Sequence, residues 1–486
     1  MSQEKTALLH SRYNPQAEAD RYINALSLDE KIRFCILIEP GLGYMIAPLR
    51  EKIPGAKIIA LHADAPPNAP PALPPPDSRW HPGTGMTVQD FLEKEVPDSA
   101  AADIRILEWR PALAVYGGAY RALIEESAEF IKRSDANVRT LTVFGKRWFR
   151  NFFKNVEIIR NVLRPAPLSL PLIVTGAGPS LEEAIPLIQE GSRQGAFVLA
   201  VSSSTAALKA AGIKPNMIVS TDGGLWARFH LLDSFRQAGT TPLAAAMSAA
   251  LPSQCGNVPI LPISDGTLWQ TLILKSLAIP FAALPQRGTV AASALDLAFA
   301  LTSGDIFISG LDLANIGIRS HARPYSLDRF LEEKSARLNP VYSQTFKRSG
   351  LLKAGGSYGI YASWFEKQLA AYPKRLYSLG KNSSAFSPLK NASVKTASSN
   401  LNTKPHEQNN AEQIRDSWLK HLELSYSDSP ARKACAVLEK ALRDSAHSAA
   451  LRKELCPILL GGAADASSRE LTAALRSLVG GGNGNG

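Results

Sequence analysis

Glycines and a serine follow one apolar run in the middle of the chain, where a strand would turn into a helix. The run LIVT opens into GAGPSLEEA, in which Gly176 and Gly178 allow a tight turn and Pro179 suits the first helical position. A helix N-terminus offers unpaired N–H groups and a positive dipole end, and the Ser180 hydroxyl adds a donor. We therefore predict a phosphate site with free amides near Ser180 and Leu181. The alternative is an ordinary strand-to-helix turn without a ligand.

Small hydroxyl residues also follow the next apolar run, FVLAV. Ser202 and Ser203 come first, and Ser204 and Thr205 precede the helical pattern AALKAAG. Two interpretations are open: Ser204 or Thr205 caps that helix, or the hydroxyls contact a ligand.

A carboxylate stands behind the third run, MIVS, in the sequence Thr221-Asp222-Gly223-Gly224. Asp222 could hold a ribose hydroxyl or a magnesium ion, or it could form only a turn. We expect ligand or ion contact, with Gly223 beside it, and leave the partner of Asp222 open.

A histidine and an aspartate follow the last of these runs, DIFISG. Asp312 comes two residues after it, and His321 lies in the polar loop SHARP. Histidine titrates near neutral pH, so His321 is a candidate general base; the alternative is a structural histidine. Thr289, ahead of the pattern VAASALDLAFAL, is either a helix cap or a hydroxyl aimed at the same crevice.

Short apolar runs alternate with helical patterns between Leu172 and Ala314. This alternation predicts a parallel sheet with helices on both faces. Ligands of such sheets bind beyond the carboxyl ends of the strands, where the residues above are expected to meet. Pro186 is expected to kink or end the first helix after the glycine turn.

The whole chain is predicted to be α/β, with a Rossmann-like parallel-sheet central domain, a smaller α/β N-terminal domain and a helical C-terminal region. The central catalytic domain is expected at residues 171–380, after an N-terminal Rossmann-like domain with a proline-rich loop at 1–106 and a helical connection at 107–170. A Ser/Asn/Lys-rich flexible linker at 381–410 precedes the helical region at 411–486, which ends in a glycine-rich tail.

Composition narrows the classes of partner. The 486 residues carry a net charge of +11, which favours anionic partners, but no compact Lys/Arg block is interleaved with aromatics, so nucleic acid is not expected. No uncharged apolar run is long enough to span a membrane, and the N-terminus lacks the order of a secretory signal. We therefore expect a cytoplasmic protein. The four cysteines lie far apart without metal-ligand spacing, and the sequence leaves metal dependence open.

The ordered set GAGPSL, SSST, STDGG, GTVAASALDLA, ISGLDLA and SHA resembles the motility-associated factor (Maf) glycosyltransferases, which modify flagellin in the bacterial cytoplasm. The resemblance runs from about Ser11 to Tyr377 and includes GGSYGIYASWFEKQLAAY (Gly355 to Tyr372). The central domain is also similar to bacterial sialyltransferases that use CMP-sialic acid and to archaeal-type hydroxymethylpterin diphosphokinases.

The sialyltransferase-like pattern implies a role for each matching residue. Gly176 to Ser180 would hold the nucleotide phosphate or ribose of a CMP-sugar, and Ser202 and Ser203 would line the crevice. Thr289 would lie near the nucleotide or sugar, Asp312 at the cytidine end, and His321 would take the proton of the acceptor hydroxyl.

The sequence departs from these families at two places. Leu313-Ala314 stands where such sialyltransferases have an aromatic pair after the aspartate, so the resemblance moves phosphate stabilisation to Tyr325, Tyr358 or Arg323. The segment LGKNSSAF, after Tyr377, also lacks the glycine pair of the family.

The resemblance implies transfer of a nonulosonic acid, of the pseudaminic or legionaminic type, from its CMP ester to Ser or Thr of flagellin, in support of flagellar assembly and motility. No cofactor is expected beyond this donor substrate. Two alternatives stay open: a diphosphokinase that uses ATP and magnesium through Asp222, and a non-enzymatic flagellin-binding module.

In the N-terminal domain, FCILIEPGLGY and KIIALHAD resemble a methyltransferase nucleotide site, with His62 in place of the acidic residue. The alternative interpretation is a structural or flagellin-docking role.

Overall fold

A computed structural model describes residues 8–29, 31–66, 70–96, 100, 103–164, 167–235, 241–313, 319–341, 343, 365, 375–379, 395–397, 421–461 and 466–480. The chain divides into two compact units. The N-terminal unit is Met1–Lys146 with Arg452–Leu471, and the central unit is Arg147–Leu451 with Thr472–Gly486. Ala314, Tyr358 and residues 481–486 of the glycine-rich tail fall outside the described residues. So does the predicted linker at 381–410, except for residues 395–397, which form a strand of the central sheet where a flexible segment was expected.

The N-terminal unit contains a parallel four-stranded sheet in the order β3-β2-β1-β4. Four of the five residues in each of β1 and β2 are fully buried, because a parallel strand is covered on both faces. The strands are β1 Phe34–Ile38, β2 Lys57–Leu61, β3 Ser78–Trp80 and β4 Ile104–Glu108. The helices are α1 Pro15–Ala25, α2 Ile46–Lys52, α3 Val88–Glu95 and α4 Pro111–Ile158, whose last part belongs to the central unit.

The central unit is built on one eleven-stranded sheet, in the order β14-β13-β12-β6-β7-β8-β9-β10-β5-β15, with β11 beside β10. The pairing is parallel except between β15 and β5. The strands are β5 Asn161–Leu163, β6 Leu172–Thr175, β7 Phe197–Val201, β8 Met217–Ser220, β9 Leu243–Ala246, β10 Ile260–Ser264, β11 Ala282–Ala283, β12 Ile306–Ser309, β13 Leu376–Leu379, β14 Lys395–Ala397 and β15 His421–Glu423.

Helices flank this sheet and follow its strands. They are α5 Leu181–Arg193, α6 Thr205–Ala210, α7 Leu225–Phe235, α8 Leu268–Ser276, α9 Val290–Leu301 and α10 Asp328–Glu333. A helical C-terminal region adds α11 Pro430–Arg443, α12 Ser445–Leu460 and α13 Ser468–Gly480. The predicted α/β class, with its smaller N-terminal sheet and helical C-terminal region, is confirmed.

Alternate residues of the central strands pack into two apolar cores. Leu172 and Val174 join a buried cluster with residues of α9, whereas Ile173 joins a second cluster with Leu181 of α5. This period-two division means that helices cover both faces of the sheet.

Pro186 does not end its helix, because α5 continues to Arg193, and the kink stays a prediction. Proline removes one helical N–H, but Ala184 and Ile188 are fully buried on either side of it. Their burial against the sheet outweighs the lost hydrogen bond.

Among the described residues, no helix combines the length and the apolar character that crossing a bilayer requires.

Candidate active site

The central sheet reverses its strand order between β6 and β12, which are neighbours although they lie far apart in the chain. From β6 the chain adds β7, β8, β9 and β10 on one side, and it later adds β12 and β13 on the other. Ser309 at the end of β12 lies opposite Thr175 at the end of β6. Ligands of this architecture usually bind at the carboxyl edge of the sheet, in the crevice beside such a switch point.

Three glycines let the two loops at this crevice approach closely. A Cβ on Gly176 would lie 2.4 Å from the Gly310 carbonyl oxygen, and a Cβ on Gly178 would lie 2.3 Å from Asp312 Oδ2. The N–H groups of Gly176 and Gly178 donate to the carbonyls of Ser309 and Gly310, each at 2.8 Å. Gly310 itself has φ +67°, a conformation that side chains disfavour.

Asp312 lies beneath the start of α5 with only 1% of its surface exposed. Its Oδ2 accepts a hydrogen bond of 2.8 Å from the Ser180 N–H. Burial raises the pKa of the Asp312 carboxyl, and the Ser180 N–H acts in the opposite direction. A carboxylate of the protein itself therefore occupies the helix N-terminus that the sequence assigned to a phosphate.

The expectation of free amides near Ser180 and Leu181 is therefore wrong. Ser180 donates to Asp312, and the Leu181 N–H donates to the Gly178 carbonyl at 3.0 Å. Sequence patterns located the turn correctly but contained no sign that Asp312, 132 positions later, would reach it.

Replacing Asp312 tests this anchoring role. Because its pKa is raised in the folded state, the carboxyl favours folding below the pKa of the unfolded chain, and this contribution disappears as pH rises through the folded pKa. We expect Asp312→Asn, whose amide oxygen still accepts the Ser180 N–H, to flatten the pH dependence of unfolding free energy in this window. Asp312→Ala leaves that N–H unpaired and should lose about 2 kcal/mol. Denaturant titrations between pH 4 and pH 8 measure the unfolding free energy of both variants. Equal losses in the two variants would contradict the anchoring role of Asp312.

The serines after β7 form a tight turn beside this loop. Residues Ser202–Ser204 make a 3-10 turn, and Ser204 Oγ lies 3.0 Å from Thr175 Oγ1 at the end of β6. Ser202 is buried and its carbonyl accepts from Thr205 Oγ1 at 2.8 Å, whereas Ser203 is half-buried. Ser204 makes no capping hydrogen bond with its side chain.

Asp222 forms a turn at the end of β8. Its Oδ1 accepts the Gly224 N–H at 2.7 Å, while the residue as a whole stays exposed. Gly223 is buried, and a Cβ there would lie 2.3 Å from the Trp148 ring. The structure shows the turn, and ligand or ion contact of Asp222 stays a prediction. The described part of the chain contains no group of three or more His, Cys, Asp or Glu residues arranged to hold a metal ion.

Thr289 caps α9, as one of the two interpretations proposed. Its side chain accepts the Ala292 N–H at 3.2 Å. α9 packs against β6, β7 and β8 on its way to β12. A crossover helix begins at the carboxyl edge of its sheet, which puts Thr289 at the edge that holds the crevice.

His321 lies on a loop that is attached to the glycine turn. The Ala322 N–H donates to the Ala177 carbonyl at 2.8 Å. The His321 ring stacks on Tyr325 with centroids 4.1 Å apart, and its Nδ1 lies 2.9 Å from Ser320 Oγ. The structure thus brings His321, the Gly176–Ser180 turn and Asp312 together at one point of the sheet.

A further residue at this point, His230, carries no signal of its position in the sequence. His230 of α7 is buried, and its Nε2 lies 3.4 Å from Tyr325 Oη. Burial lowers the pKa of His230, whereas Asp222 and Asp233 act in the opposite direction. Its position in an apolar helix, LWARFHLLDSF, gave no signal of this contact.

In the N-terminal unit, the turn after β1 is filled by the protein's own side chains. Glu39 and His62 are both buried, and His62 Nδ1 lies 3.1 Å from Glu39 Oε1. The Leu42 N–H of the PGLGY turn donates to His10 Nε2 at 3.0 Å. Glu39, His62 and the Leu42 N–H are thus paired within the unit, and a structural role for this turn stays a prediction.

Comparison with known proteins finds a family model that matches the first part of the central unit. Residues 146–317 match a family model described as 6-hydroxymethylpterin diphosphokinase MptE-like. An uncharacterized protein of Treponema pallidum (strain Nichols) is 27% identical over 284 residues, which make up 58% of this chain and 61% of that relative. The match thus spans less than two thirds of the relative's length.

The fold is similar to that of a solved MAf glycosyltransferase from Magnetospirillum magneticum AMB-1. The TM-score is 0.54 at 12% identity, and the similarity covers 96% of this chain and 83% of that structure. The resemblance to Maf and MptE-like proteins is confirmed, and at this identity the structural likeness establishes the shared fold.

Proposed function

We propose that this protein is a glycosyltransferase that transfers a nonulosonic acid, of the pseudaminic or legionaminic type, from its CMP ester to serine or threonine of flagellin. One observation carries the proposal: a histidine-bearing loop is fastened to the glycine turn at the switch point of a Maf-like fold. In this proposal the reaction takes place in the bacterial cytoplasm and supports flagellar assembly and motility.

The donor would lie at the carboxyl edge of the sheet, beside the joined loops after β6 and β12. Its nucleotide would contact the turn of Gly176, Gly178, Pro179 and Ser180, and Ser202 and Ser203 would line the neighbouring side. Since the Ser180 N–H is already bonded to Asp312, the Ala177 N–H is the better candidate for the phosphate. Asp312 then supports the turn from below, Thr289 holds the start of α9, and Asp222 with Gly223 borders the crevice at β8.

His321 would take the proton of the acceptor hydroxyl. The acceptor oxygen forms a bond to the anomeric carbon of the sugar as the bond from that carbon to the CMP phosphate breaks. The proton passes to the imidazole, and CMP leaves with the bonding electrons. General-base assistance of this kind contributes about 100-fold to 10,000-fold in rate.

An exposed aromatic surface beside this loop supports a protein acceptor. Trp226 and Phe229 of α7 are 46% and 42% exposed, and the Trp226 ring lies 4.6 Å from Phe330 of α10. The same helix carries His230, which contacts the Tyr325 that stacks on His321. Exposed aromatic clusters are typical of protein interfaces, and a small-molecule kinase needs none.

Removing this surface should weaken acceptor binding. We expect the double variant Trp226→Ser and Phe229→Ser to raise the KM for flagellin at least about 10-fold, because each buried aromatic contact contributes more than about 1 kcal/mol at an interface. CMP affinity should not change. Val143→Ser, which alters an exposed residue of α4, is the control. An unchanged KM would remove this surface from acceptor binding.

The direct test of the function incubates the purified protein with flagellin and a CMP-nonulosonate, with and without a chelator, and follows flagellin by mass spectrometry. The proposal expects a mass increase of one or more sugar residues under both conditions. No increase under any condition would refute it.

The family model over residues 146–317 favours one second candidate, an ATP-dependent diphosphokinase that acts on a hydroxymethylpterin. Magnesium would then bind near Asp222, whose exposed carboxylate keeps one oxygen beyond the turn. Nucleotide titration separates the candidates: CMP-selective binding supports transfer, and magnesium-dependent ATP binding supports the kinase. Flagellin binding without any nucleotide binding would identify a non-enzymatic module.

A further inference from the structure

The Glu182 side chain contacts both ends of the loop that carries His321, at Arg319 and Arg323. Arg319 Nη1 lies 2.8 Å from each carboxylate oxygen of Glu182, and the Arg323 backbone N–H donates to Glu182 Oε1 at 2.9 Å. Arg319 precedes His321 by two residues and Arg323 follows it by two. A single carboxylate therefore fixes the loop on either side of the proposed base.

The glycine turn that leads into Glu182 supplies the third attachment of this loop. The Ala322 N–H donates to the Ala177 carbonyl, and Ala177 lies in the glycine turn that leads into Glu182. These three contacts attach residues 319–323 to the glycine turn, which would contact the donor nucleotide, and to the first turn of α5 behind it. The position of His321 relative to the donor thus depends on contacts within a few residues of each other.

The local structure explains why Glu182 takes this position. Glu182 is the second residue of α5, where the helix dipole stabilises a negative charge. Leu181 and Ala184 are fully buried and set the rotation of the helix, which leaves Glu182 at the rim and its neighbour Glu183 exposed. Both side chains of the Arg319–Glu182 pair are about one third exposed, so the pair itself adds little to stability. The effect of the pair is to fix the position of the His321 loop relative to α5.

We propose that Glu182 is a positioning residue that holds the His321 imidazole at the donor crevice. The inference rests on the proposed function for the role of His321, whereas the attachment of the loop stands on the contacts alone. Displacement of a catalytic group by about 1 Å costs on the order of 100-fold in rate, so loss of the carboxylate should reduce turnover without removing any reacting group.

The test compares full-length Glu182→Ala and Glu182→Gln with Glu183→Ala as the matched control from the same helical turn. We expect kcat for flagellin modification to fall about 100-fold in Glu182→Ala, with an unchanged Kd for CMP and an unchanged thermal midpoint. Hydrogen exchange should accelerate in peptides that contain Ala322 and Arg323. Glu182→Gln should recover part of kcat, because its amide oxygen can still accept the Arg323 N–H. Glu183→Ala should match the wild type.

A double-variant cycle adds a second measurement. Arg319→Ala should cost less than Glu182→Ala, since the Arg323 N–H keeps its acceptor, and the double variant should be no worse than Glu182→Ala alone. Faster exchange with unchanged kcat would overturn the positioning role, and unchanged exchange would overturn the attachment itself. If the wild type transfers no sugar, the proposed function fails, and hydrogen exchange still decides the attachment.

Discussion

Replacing His321 with alanine is expected to lower the turnover of flagellin glycosylation by about 100-fold to 10,000-fold, because the variant loses the general base. CMP affinity should change little. The ring contacts Tyr325 and Ser320 on a loop near the surface, and the glycine turn keeps its own bonds to β12 without it. Binding and chemistry should therefore separate when kcat is measured with purified flagellin and Kd with CMP alone.

His447→Ala provides a control for this experiment, because His447 is an exposed histidine of the same unit that pairs only locally with Asp444. It should retain full activity. If His321→Ala also retains full activity, or if it unfolds the protein, the histidine is structural. The base would then be sought first at Asp222, whose carboxylate is exposed, since Asp312 is buried under the helix.

The largest expected change in stability comes from Gly310→Ala. A Cβ at this position would lie 2.3 Å from the Gly176 carbonyl oxygen, and the residue has φ +67°. Left-handed strain costs about 1–2 kcal/mol and overpacking about 1–3 kcal/mol, so we expect a total loss of about 3 kcal/mol. CMP binding should weaken as well, because the two loops of the crevice can no longer approach.

Gly212→Ala separates the two contributions. Gly212 has φ +72° in the same unit, but no atom lies within 4 Å of its Cβ position, so this variant should show the strain alone, about 1–2 kcal/mol. Denaturant unfolding of both variants measures the difference. Equal losses would mean that the close approach of β6 and β12 adds nothing, which contradicts the arrangement of the crevice.

Local patterns in the sequence determined the fold class and located the polar residues that follow the strands. Apolar runs of four or five residues separated by helical patterns predict buried parallel strands, because side chains covered on both faces must all be apolar. The ends of these runs are visible as changes of residue type, so the GAGPS turn, the serines after β7 and the loop of His321 could be located one by one. The cap formed by Thr289 is equally local, since its acceptor and donor lie three residues apart.

Only the tertiary structure decided which of these ends meet. Strand order depends on long-range pairing through backbone hydrogen bonds that are alike for every strand. The apolar runs therefore contain no signal that β12 lies beside β6. The bond from Ser180 to Asp312 and the contact of Arg319 with Glu182 join residues 132 and 137 positions apart. The sequence therefore identified a helix N-terminus suited to an anion, whereas the fold determined that the anion already there is a buried aspartate.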